Sequence, residues 1–222
     1  MIRNTRHFMA PCSIFGVALL MLACGQGSGD NSGSSSSSRE NEQIGEGRIY
    51  KSQLLPLNTI VAGTSIGHLQ WSVGPSLMKV HLAMTNTPES LEHYQAIHSG
   101  SRCPTESADS NSDGIIDMEE LQKVSGQVLF PLDSDLTSTQ RGDFSTSRSN
   151  EYGNYVYSGE MSIRQIRSIA SNFSPENKVV VVYGINQNYG LPSSTFTPDG
   201  NKHRYIPISC GVIKTAPVQN LY

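Results

Sequence analysis

Two neighbouring segments of the chain, 68–73 (HLQWSV) and 78–84 (MKVHLAM), alternate polar with apolar residues. This alternation is typical of strands that bury one face, and the Gly74-Pro75-Ser76 turn between them predicts a hairpin. Apolar side chains occupy odd positions in the first strand and even positions in the second, so paired residue numbers must sum to an odd value. A sum of 151 would pair Trp71 with Val80 and leave a four-residue loop.

The rest of the domain is predicted to be mainly β. The run Val179 to Val182 is apolar at every position, which predicts a central strand covered on both faces. A helix is predicted near Met161 to Phe173, where apolar residues recur at steps of three and four, while Pro88 to Ile97 fits either a short helix or an extended stretch. Many short strands with one helix favour a β-sandwich. The other predicted strands are Arg48 to Leu55, Gln127 to Leu132, Tyr152 to Tyr157, Lys178 to Tyr183 and Ile206 to Ile213.

The N-terminus has the composition of an export signal. Arg3 and Arg6 precede an apolar run of 11 residues, Ser13 to Ala23, which is shorter than the roughly 20 residues of a membrane-spanning helix. The run ends in Met21-Leu22-Ala23-Cys24, which resembles the lipobox of bacterial lipoproteins, although Leu is more usual at its first position. The resemblance implies removal of residues 1–23 and lipid attachment to Cys24. The alternative is an ordinary signal peptide that leaves a free cysteine.

Residues 24–47 are rich in Gly and Ser, which predicts a disordered linker between the lipidated cysteine and the domain. The remaining 175 residues, 48–222, suit one domain. Loss of the signal would change the formal charge from −3 to −5, with 14 basic and 19 acidic residues. No basic stripe is present, so a nucleic-acid partner is not expected. We expect a protein held by its lipid at the bacterial cell envelope, at the outer membrane or at a periplasmic or cell-surface face.

Two cysteines remain within the domain. Cys12 would leave with the signal and Cys24 would carry lipid, which leaves Cys103 and Cys210. Two cysteines in an exported domain most simply form one disulfide. The alternative is a pair of unpaired buried thiols.

The segment Asp109 to Glu120 (DSNSDGIIDMEE) resembles the calcium-binding loop of EF-hands. Oxygen-bearing side chains occupy its first, third, fifth, ninth and twelfth positions, with glycine at the sixth and an apolar residue at the eighth. Calcium prefers about six to eight oxygen ligands. The predicted ligands are Asp109, Asn111, Asp113, the Ile115 carbonyl, Asp117 (directly or through water) and a bidentate Glu120.

Two other residues of the loop have predicted structural roles. Gly114 would permit a sharp turn with positive φ, and Ile116 would anchor the loop to the core or to a partner strand. Without a cation the clustered carboxylates would repel one another. The alternative is a solvated acidic turn before a short helix, Met118 to Val124. A conventional EF-hand pair is not expected, because Cys103-Pro104 interrupts any entering helix and the sequence contains no second loop.

Several short motifs, among them Tyr50 to Asn58 (YKSQLLPLN), Gln95 to Gly100 (QAIHSG) and Ile208 to Ile213 (ISCGVI), follow one another along the chain. Their order resembles that of chordin-type (CHRD) domains. The final motif is also similar to the closing strand of copper–zinc superoxide dismutases, where its cysteine bridges to an earlier loop, a role that Cys103 could fill. The resemblance implies an immunoglobulin-like Greek-key sandwich and fixes no activity. The matching segments are Tyr50 to Asn58 (YKSQLLPLN), Gly67 with its hairpin, Gln95 to Gly100 (QAIHSG), Gly126 to Leu129 (GQVL), the helix Ser162 to Ala170, the strand Val179 to Tyr183 and Ile208 to Ile213 (ISCGVI).

The histidines depart from a dismutase copper site, which needs a close cluster. Where the family has His-Ile-His, this chain has Ala96-Ile97-His98, so His98 remains as an isolated candidate ligand. His93 precedes His98 by five residues, which suits chelation on neither a strand nor a helix. His68 and His81 would share the polar face of the hairpin.

No Gly-x-Ser-x-Gly elbow, HExxH motif or phosphate-binding glycine loop is present, so catalysis is not expected. The sequence favours a calcium-binding envelope protein with a structural, adhesive or ligand-binding role, whose partner would be an envelope protein or a glycan. One alternative is a dismutase-like metal or redox enzyme that has lost most copper ligands. A second alternative is a carbohydrate-binding module whose exposed tyrosines stack on sugars, although tyrosines at alternating strand positions more often serve ordinary packing. These residues are Tyr152, Tyr155, Tyr157, Tyr189 and Tyr205.

The lipidation hypothesis predicts that Cys24→Ser releases the protein from the membrane fraction or stalls its maturation. Cys12→Ser is the matched control, since this cysteine lies in the part that would be removed, and its fractionation should match the wild type. The measurement is immunoblotting of membrane and soluble fractions from the bacterial host. A Cys24→Ser variant that stays with the membranes would show that the lipobox interpretation is wrong.

Overall fold

The computed structural model describes residues 47–136, 146–169, 171, 173–198 and 200–217. The predicted signal 1–23, Cys24 and all of the predicted linker except Gly47 lie outside this part of the chain. Within it, no helix is both long and apolar enough to cross a membrane.

Eleven strands and four helices make up the described structure, with a 3-10 turn at Glu106–Ala108. The strands are β1 Ile49–Pro56, β2 Ile66–Val73, β3 Leu77–Thr85, β4 Glu92–His93, β5 Gln95–His98, β6 Val128–Pro131, β7 Ser147–Arg148, β8 Tyr155–Ser162, β9 Val179–Tyr183, β10 Pro207–Val212 and β11 Lys214–Thr215. The helices are α1 Thr59–Ala62, α2 Met118–Ser125, α3 Ile163–Ile169 and α4 Lys202–Tyr205.

The predicted mainly β fold is confirmed. Nine strands form one curled antiparallel sheet in the order β6-β5-β9-β10-β1-β2-β3-β8, with β11 also paired to β1, and β4 pairs with β7 in a separate ribbon. Strand β1 belongs to both halves of the large sheet: residues 49–54 pair with β2, whereas Leu55 and Pro56 pair with β10. The curl brings the inner faces of the halves together around one core that includes Trp71, Phe130 and Phe173.

The half formed by β1, β2, β3 and β8 has one buried and one exposed face. The predicted hairpin register is confirmed, because Trp71 pairs with Val80 and Val73 with Met78 across the turn. Val80 points into the core, whereas His81 beside it is exposed. Period-two alternation therefore set both the register and the buried face of this half.

The half formed by β5, β6, β9 and β10 is covered on both faces. Val180 and Val182 of β9 join the main core, while Val179, Val181 and Tyr183 belong to a second apolar cluster on the outer side. That outer cluster also contains Ile116, Met118 and Leu121, which lie in the segment between β5 and β6. The prediction that Val179 to Val182 is a central, doubly covered strand is thus confirmed, and the covering layer is the segment 99–127.

This covering segment, the insertion, leaves and rejoins the sheet at one narrow neck. The backbone N–H of Ser99 donates to the Gln127 carbonyl at 2.9 Å, and that of Gly100 donates to the Ser125 carbonyl at 2.7 Å. A Cβ at position 100 would lie 2.4 Å from the Ser125 carbonyl carbon, so the neck requires glycine. The Cys103–Cys210 disulfide, with its Cα atoms 5.8 Å apart, joins the insertion to β10. The predicted pairing of these cysteines is confirmed.

Two local predictions differ from the structure, and the structure decides a third that was left open. The strand predicted at Tyr152 to Tyr157 begins only at Tyr155 and continues to Ser162, because Asn150 Oδ1 accepts two backbone N–H groups and holds residues 150–154 in a turn. The ambiguous Pro88 to Ile97 stretch is extended where it is ordered as β4 and β5. The predicted helix is shorter, running from Ile163 to Ile169.

The tyrosines suggested as sugar platforms separate into two groups. Tyr152 and Tyr189 are exposed, at 72% and 46%. Tyr155, Tyr157 and Tyr205 are buried, so the suggestion that they are exposed was wrong. Burial is tolerated because the hydroxyls find partners, as where Tyr155 donates to Gln95 Oε1 at 3.1 Å.

Loss of the disulfide should lower the free energy of unfolding substantially. The bridge joins residues 107 positions apart, and the chain-entropy model gives about 4 to 5 kcal/mol for a closed loop of this length. The test is urea unfolding of the Cys103→Ala/Cys210→Ala variant against the oxidised wild type. Reductant should destabilise the wild type and leave the double variant unaffected. Equal unfolding midpoints for the two proteins would contradict the expectation.

Candidate metal centre

The predicted calcium loop lies in the insertion and forms a tight turn. Gly114 has φ +83, as the prediction required, and Ser112 has φ +57. A Cβ at Gly114 would meet no atom within 4 Å, so the backbone angle, not lack of space, calls for glycine there.

Side chains at the start of the loop bind its own backbone. Asp109 accepts the N–H of Asp113 through Oδ1 at 3.2 Å and that of Gly114 through Oδ2 at 2.8 Å. Asn111 Oδ1 also accepts from the Asp113 N–H, at 2.9 Å. Asp113 Oδ1 accepts from the Ile115 N–H at 2.9 Å. These bonds fold the loop around its acidic side chains.

The end of the loop is the N-terminus of α2. Asp117 Oδ1 accepts the N–H groups of Glu119 and Glu120, while Glu120 Oε2 accepts the N–H of Asp117 at 3.2 Å, which makes a reciprocal capping box. Glu120 Oε1 reaches back across the loop to the Ser110 N–H at 2.7 Å. Asp117 and Glu120 are only 2% and 3% exposed. The helix terminus and the loop N–H groups stabilise these buried negative charges.

The loop offers the kinds of oxygen atom that calcium binds, but its carboxylates are not gathered around one point. The residues are carboxylates, an amide oxygen and the Ile115 carbonyl, which are the oxygen ligands that a hard cation takes. In the part of the chain that the structure describes, no three His, Cys, Asp or Glu side chains lie close enough together to share a metal ion. Binding would therefore require the carboxylates to exchange some of these N–H bonds for the cation.

Asn58 anchors the eighth position of the loop. Its Oδ1 accepts from the Ile116 N–H at 2.8 Å, and its Nδ2 donates to the Ile116 carbonyl at 2.8 Å and to the Pro207 carbonyl at 3.0 Å. The side-chain amide thus pairs with Ile116 as a backbone peptide of a neighbouring strand would. In a paired EF-hand the second loop supplies that partner, whereas here one side chain supplies it.

A second element contacts the outer side of the loop. We call residues 186–201, between β9 and α4, the strap. Asp113 Oδ2 accepts from the Ser194 hydroxyl at 2.7 Å and from that of Thr195 at 3.4 Å. Asp117 Oδ2 accepts from the backbone N–H of Phe196 at 2.7 Å. Two predicted calcium ligands therefore hold the strap.

His98, the candidate copper ligand, has a structural position at the neck of the insertion. It is fully buried, its Nδ1 lies 2.8 Å from the Gly126 carbonyl, and its Nε2 lies 2.6 Å from the Tyr183 hydroxyl. Since Nδ1 must donate to the carbonyl, Nε2 accepts from the tyrosine in the neutral ring. Both nitrogens are thus engaged by the protein.

The other described histidines do not join His98 in a cluster. His93 is buried between the carbonyls of Tyr183 and Pro88, and burial lowers the pKa of its imidazole, against the opposing effect of those two carbonyls. His68 and His81 lie on the exposed face of the hairpin as predicted, with ring centroids 6.5 Å apart. His203 Nε2 donates to the Tyr189 carbonyl at 2.7 Å.

Comparison with models of protein families and with curated proteins finds no match for this chain. The site is therefore defined by its own residues. Of these, the sequence pattern missed Asn58 and the strap residues Ser194, Thr195 and Phe196. Asn58 carried one weak signal, its place at the end of the CHRD-like motif Tyr50 to Asn58, whereas nothing local indicated the strap.

Removing the Asn58 amide should destabilise the domain and loosen the loop. Asn58 has φ +49, so Asn58→Gly deletes the three hydrogen bonds without straining the backbone. At about 0.5–1.5 kcal/mol for each bond, we expect a loss of about 2 to 3 kcal/mol in urea unfolding. Asn86→Gly is the matched control, because Asn86 has φ +55 and an exposed side chain. Equal effects of the two substitutions would contradict the role assigned to Asn58.

Proposed function

We propose that this chain is a calcium-stabilised binding protein, held by a lipidated Cys24 at the bacterial cell envelope. The observation that carries the proposal is the position of the Asp109–Glu120 loop. The loop joins three parts of the fold: the residues after β1 through the backbone of Ile116 and Asn58, the strap through Asp113 and Asp117, and α2 through its capping box. A cation bound there would stabilise all of these contacts at once.

The ligands would be the residues whose spacing suggested them. Asp109, Asn111, Asp113 and Glu120 would supply side-chain oxygens, Ile115 its carbonyl, and Asp117 an oxygen directly or through water. Asp109 Oδ2 and Glu120 Oε2 each accept one N–H and keep a lone pair for a cation. Asp117 Oδ1 and Glu120 Oε1 accept two or more hydrogen bonds, so these oxygens would have to release N–H groups to bind calcium. Buried Asp117 and Glu120 favour a cation on electrostatic grounds, because both charges lie away from water.

The proposed biological role is binding or adhesion. The CHRD-like motifs support an envelope domain of Greek-key type, and the curled sheet agrees with such a domain at the level of its mainly β architecture. The dismutase-like alternative gains no support from His98, whose ring nitrogens bind the protein itself. Anchoring by lipid rests on the N-terminal sequence alone.

Calcium should raise the thermal stability of the domain. Exported calcium modules often have dissociation constants near 10⁻⁴–10⁻³ M, so about 10 mM calcium should approach a hundredfold excess over a site at the tighter end of that range. Such an excess contributes about 2.7 kcal/mol, or a shift of roughly 5–10 °C in a domain of this size. The measurement is calorimetric melting with calcium and with chelator, with magnesium as a second ion expected to act more weakly.

Substitutions then test the ligands. Asp109→Ala and Glu120→Gln should abolish most of the calcium-dependent shift, whatever their effect on the melting temperature without calcium. Glu119→Gln is the matched control, because Glu119 adjoins Glu120 but is exposed and pairs with Lys123 at 3.0 Å. Its shift should equal that of the wild type. A wild-type melting curve that does not move across millimolar calcium would show that the loop is not a working site.

A further inference from the structure

The strap connects the proposed calcium loop with a separate pocket. Near its middle, Ser194 to Phe196 contact Asp113 and Asp117. Its two ends, with the adjoining residues Ile185 and His203, line a cavity of about 210 Å³. Lys202, the first residue of α4, donates from Nζ to the carbonyls of Pro192 and Ser193 at 3.2 Å. These bonds tie the pocket end of the strap to the residues next to its contact with the loop. One short segment of the chain thus contacts the proposed calcium loop and forms part of the pocket wall.

The charges that line this pocket favour an anion. Arg148 of β7 and Arg204 of α4 both border it, with Glu92 as the opposing acid. Glu92 and Arg148 occupy directly paired positions of β4 and β7. Arg148 uses one N–H on the Ser90 carbonyl, which leaves most of its five donors for a ligand. Among the described residues that line the pocket, two guanidinium groups stand against one carboxylate, so this lining carries a net positive charge.

The volume of the pocket and its uncharged lining residues restrict the class of ligand that can bind there. A cavity of about 210 Å³ is below the usual 300–1,000 Å³ of sites for drug-sized molecules, so the occupant must be small. Gln187 and Asn201 supply amide groups that suit hydroxyls, and buried Ile185 supplies an apolar wall. A guanidinium binds a carboxylate through two parallel hydrogen bonds. A carboxylate joined to a hydroxylated ring satisfies all three kinds of lining group.

We propose that this pocket binds a small acidic sugar through Arg148 and Arg204, and that calcium in the Asp109–Glu120 loop strengthens the binding by fixing the strap. The second half rests on the proposed calcium site, whereas the pocket itself does not. Calcium held by Asp113 and Asp117 would fix the orientation of the carboxylates that hold Ser194 and Phe196. A strap ordered in advance lowers the ordering cost that the sugar must meet.

The test is titration of the complete folded domain with glucuronate, followed by ligand-observed NMR, in calcium and in chelator. Glucose is the neutral control, and acetate tests whether a carboxylate alone suffices. We expect saturable binding of glucuronate, weaker binding of acetate and none of glucose. Calcium should tighten glucuronate binding by at least about fivefold, the lower end of ordinary coupling between sites.

Charge variants separate the pocket from general stability. Arg148→Gln should weaken glucuronate at least about tenfold, because it removes a charge-assisted bidentate contact. Glu92→Gln should tighten it several-fold by removing the opposing charge, a gain that damage to the fold cannot produce. Arg164→Gln is the matched control, because Arg164 is an exposed arginine of α3 outside the pocket lining, and it should have no effect.

A double variant of the strap tests the coupling. Ser194→Ala/Thr195→Val should retain glucuronate binding but lose its dependence on calcium at saturating calcium concentration. Absence of glucuronate binding in a protein that does bind calcium would overturn the inference and leave the proposed function intact. Equal glucuronate affinity with and without bound calcium would overturn the coupling. A failure of calcium itself to bind would be detected separately by the melting experiment and would count against the proposed function.

Discussion

The strand Val179–Tyr183 must be covered on both faces, and much of the architecture follows from this requirement. All five of its residues are fully buried. Exposure of an apolar side chain of this size costs about 1.5–3 kcal/mol, so neither face can be left to water. One face is covered by the other half of the curled sheet, and the other face needs a separate layer. The insertion between β5 and β6 supplies that layer through Ile116, Met118 and Leu121.

The requirement for a cover explains where the acidic loop lies. Ile116 must point into the outer apolar cluster, and its backbone must still form hydrogen bonds beside an apolar surface. Asn58 meets that need for both the N–H and the carbonyl of Ile116. The Cys103–Cys210 bridge holds the same layer against β10. The loop is therefore positioned by packing, by one amide and by one disulfide.

The sequence predicted those parts of the fold that depend on a short repeat of apolar residues or on one residue within a turn. The hairpin register followed from alternation at Trp71 and Val80, and the turn of the loop from Gly114. The start of β8 was missed because Asn150 holds the preceding residues in a turn, an effect that alternation does not contain. Tyr155 was misplaced for a different reason: an aromatic ring with a hydroxyl suits both a surface and a core that offers Gln95 as a partner.

Local sequence patterns could not predict the contacts around the candidate site, because these contacts join distant parts of the chain. Asn58 and Ile116 are 58 positions apart, and Ser194 and Asp113 are 81 apart. Spacing within the loop could name the oxygen donors, but it could not indicate which distant segments would use the same oxygens. Only the path of the chain over the outer face of the sheet brings the strap and Asn58 to opposite sides of one loop.

The shared strand β1 also determines when the sheet can close. Its first residues pair with β2, which lies nearby in the sequence, whereas Leu55 pairs with Cys210, near the other end of the chain. Loop closure over such a separation is slow and entropically costly. The open half can therefore assemble from neighbouring strands, whereas the layer bearing the acidic loop is completed only when the last strands arrive. We therefore expect the layer that carries the candidate site to complete its contacts late in folding.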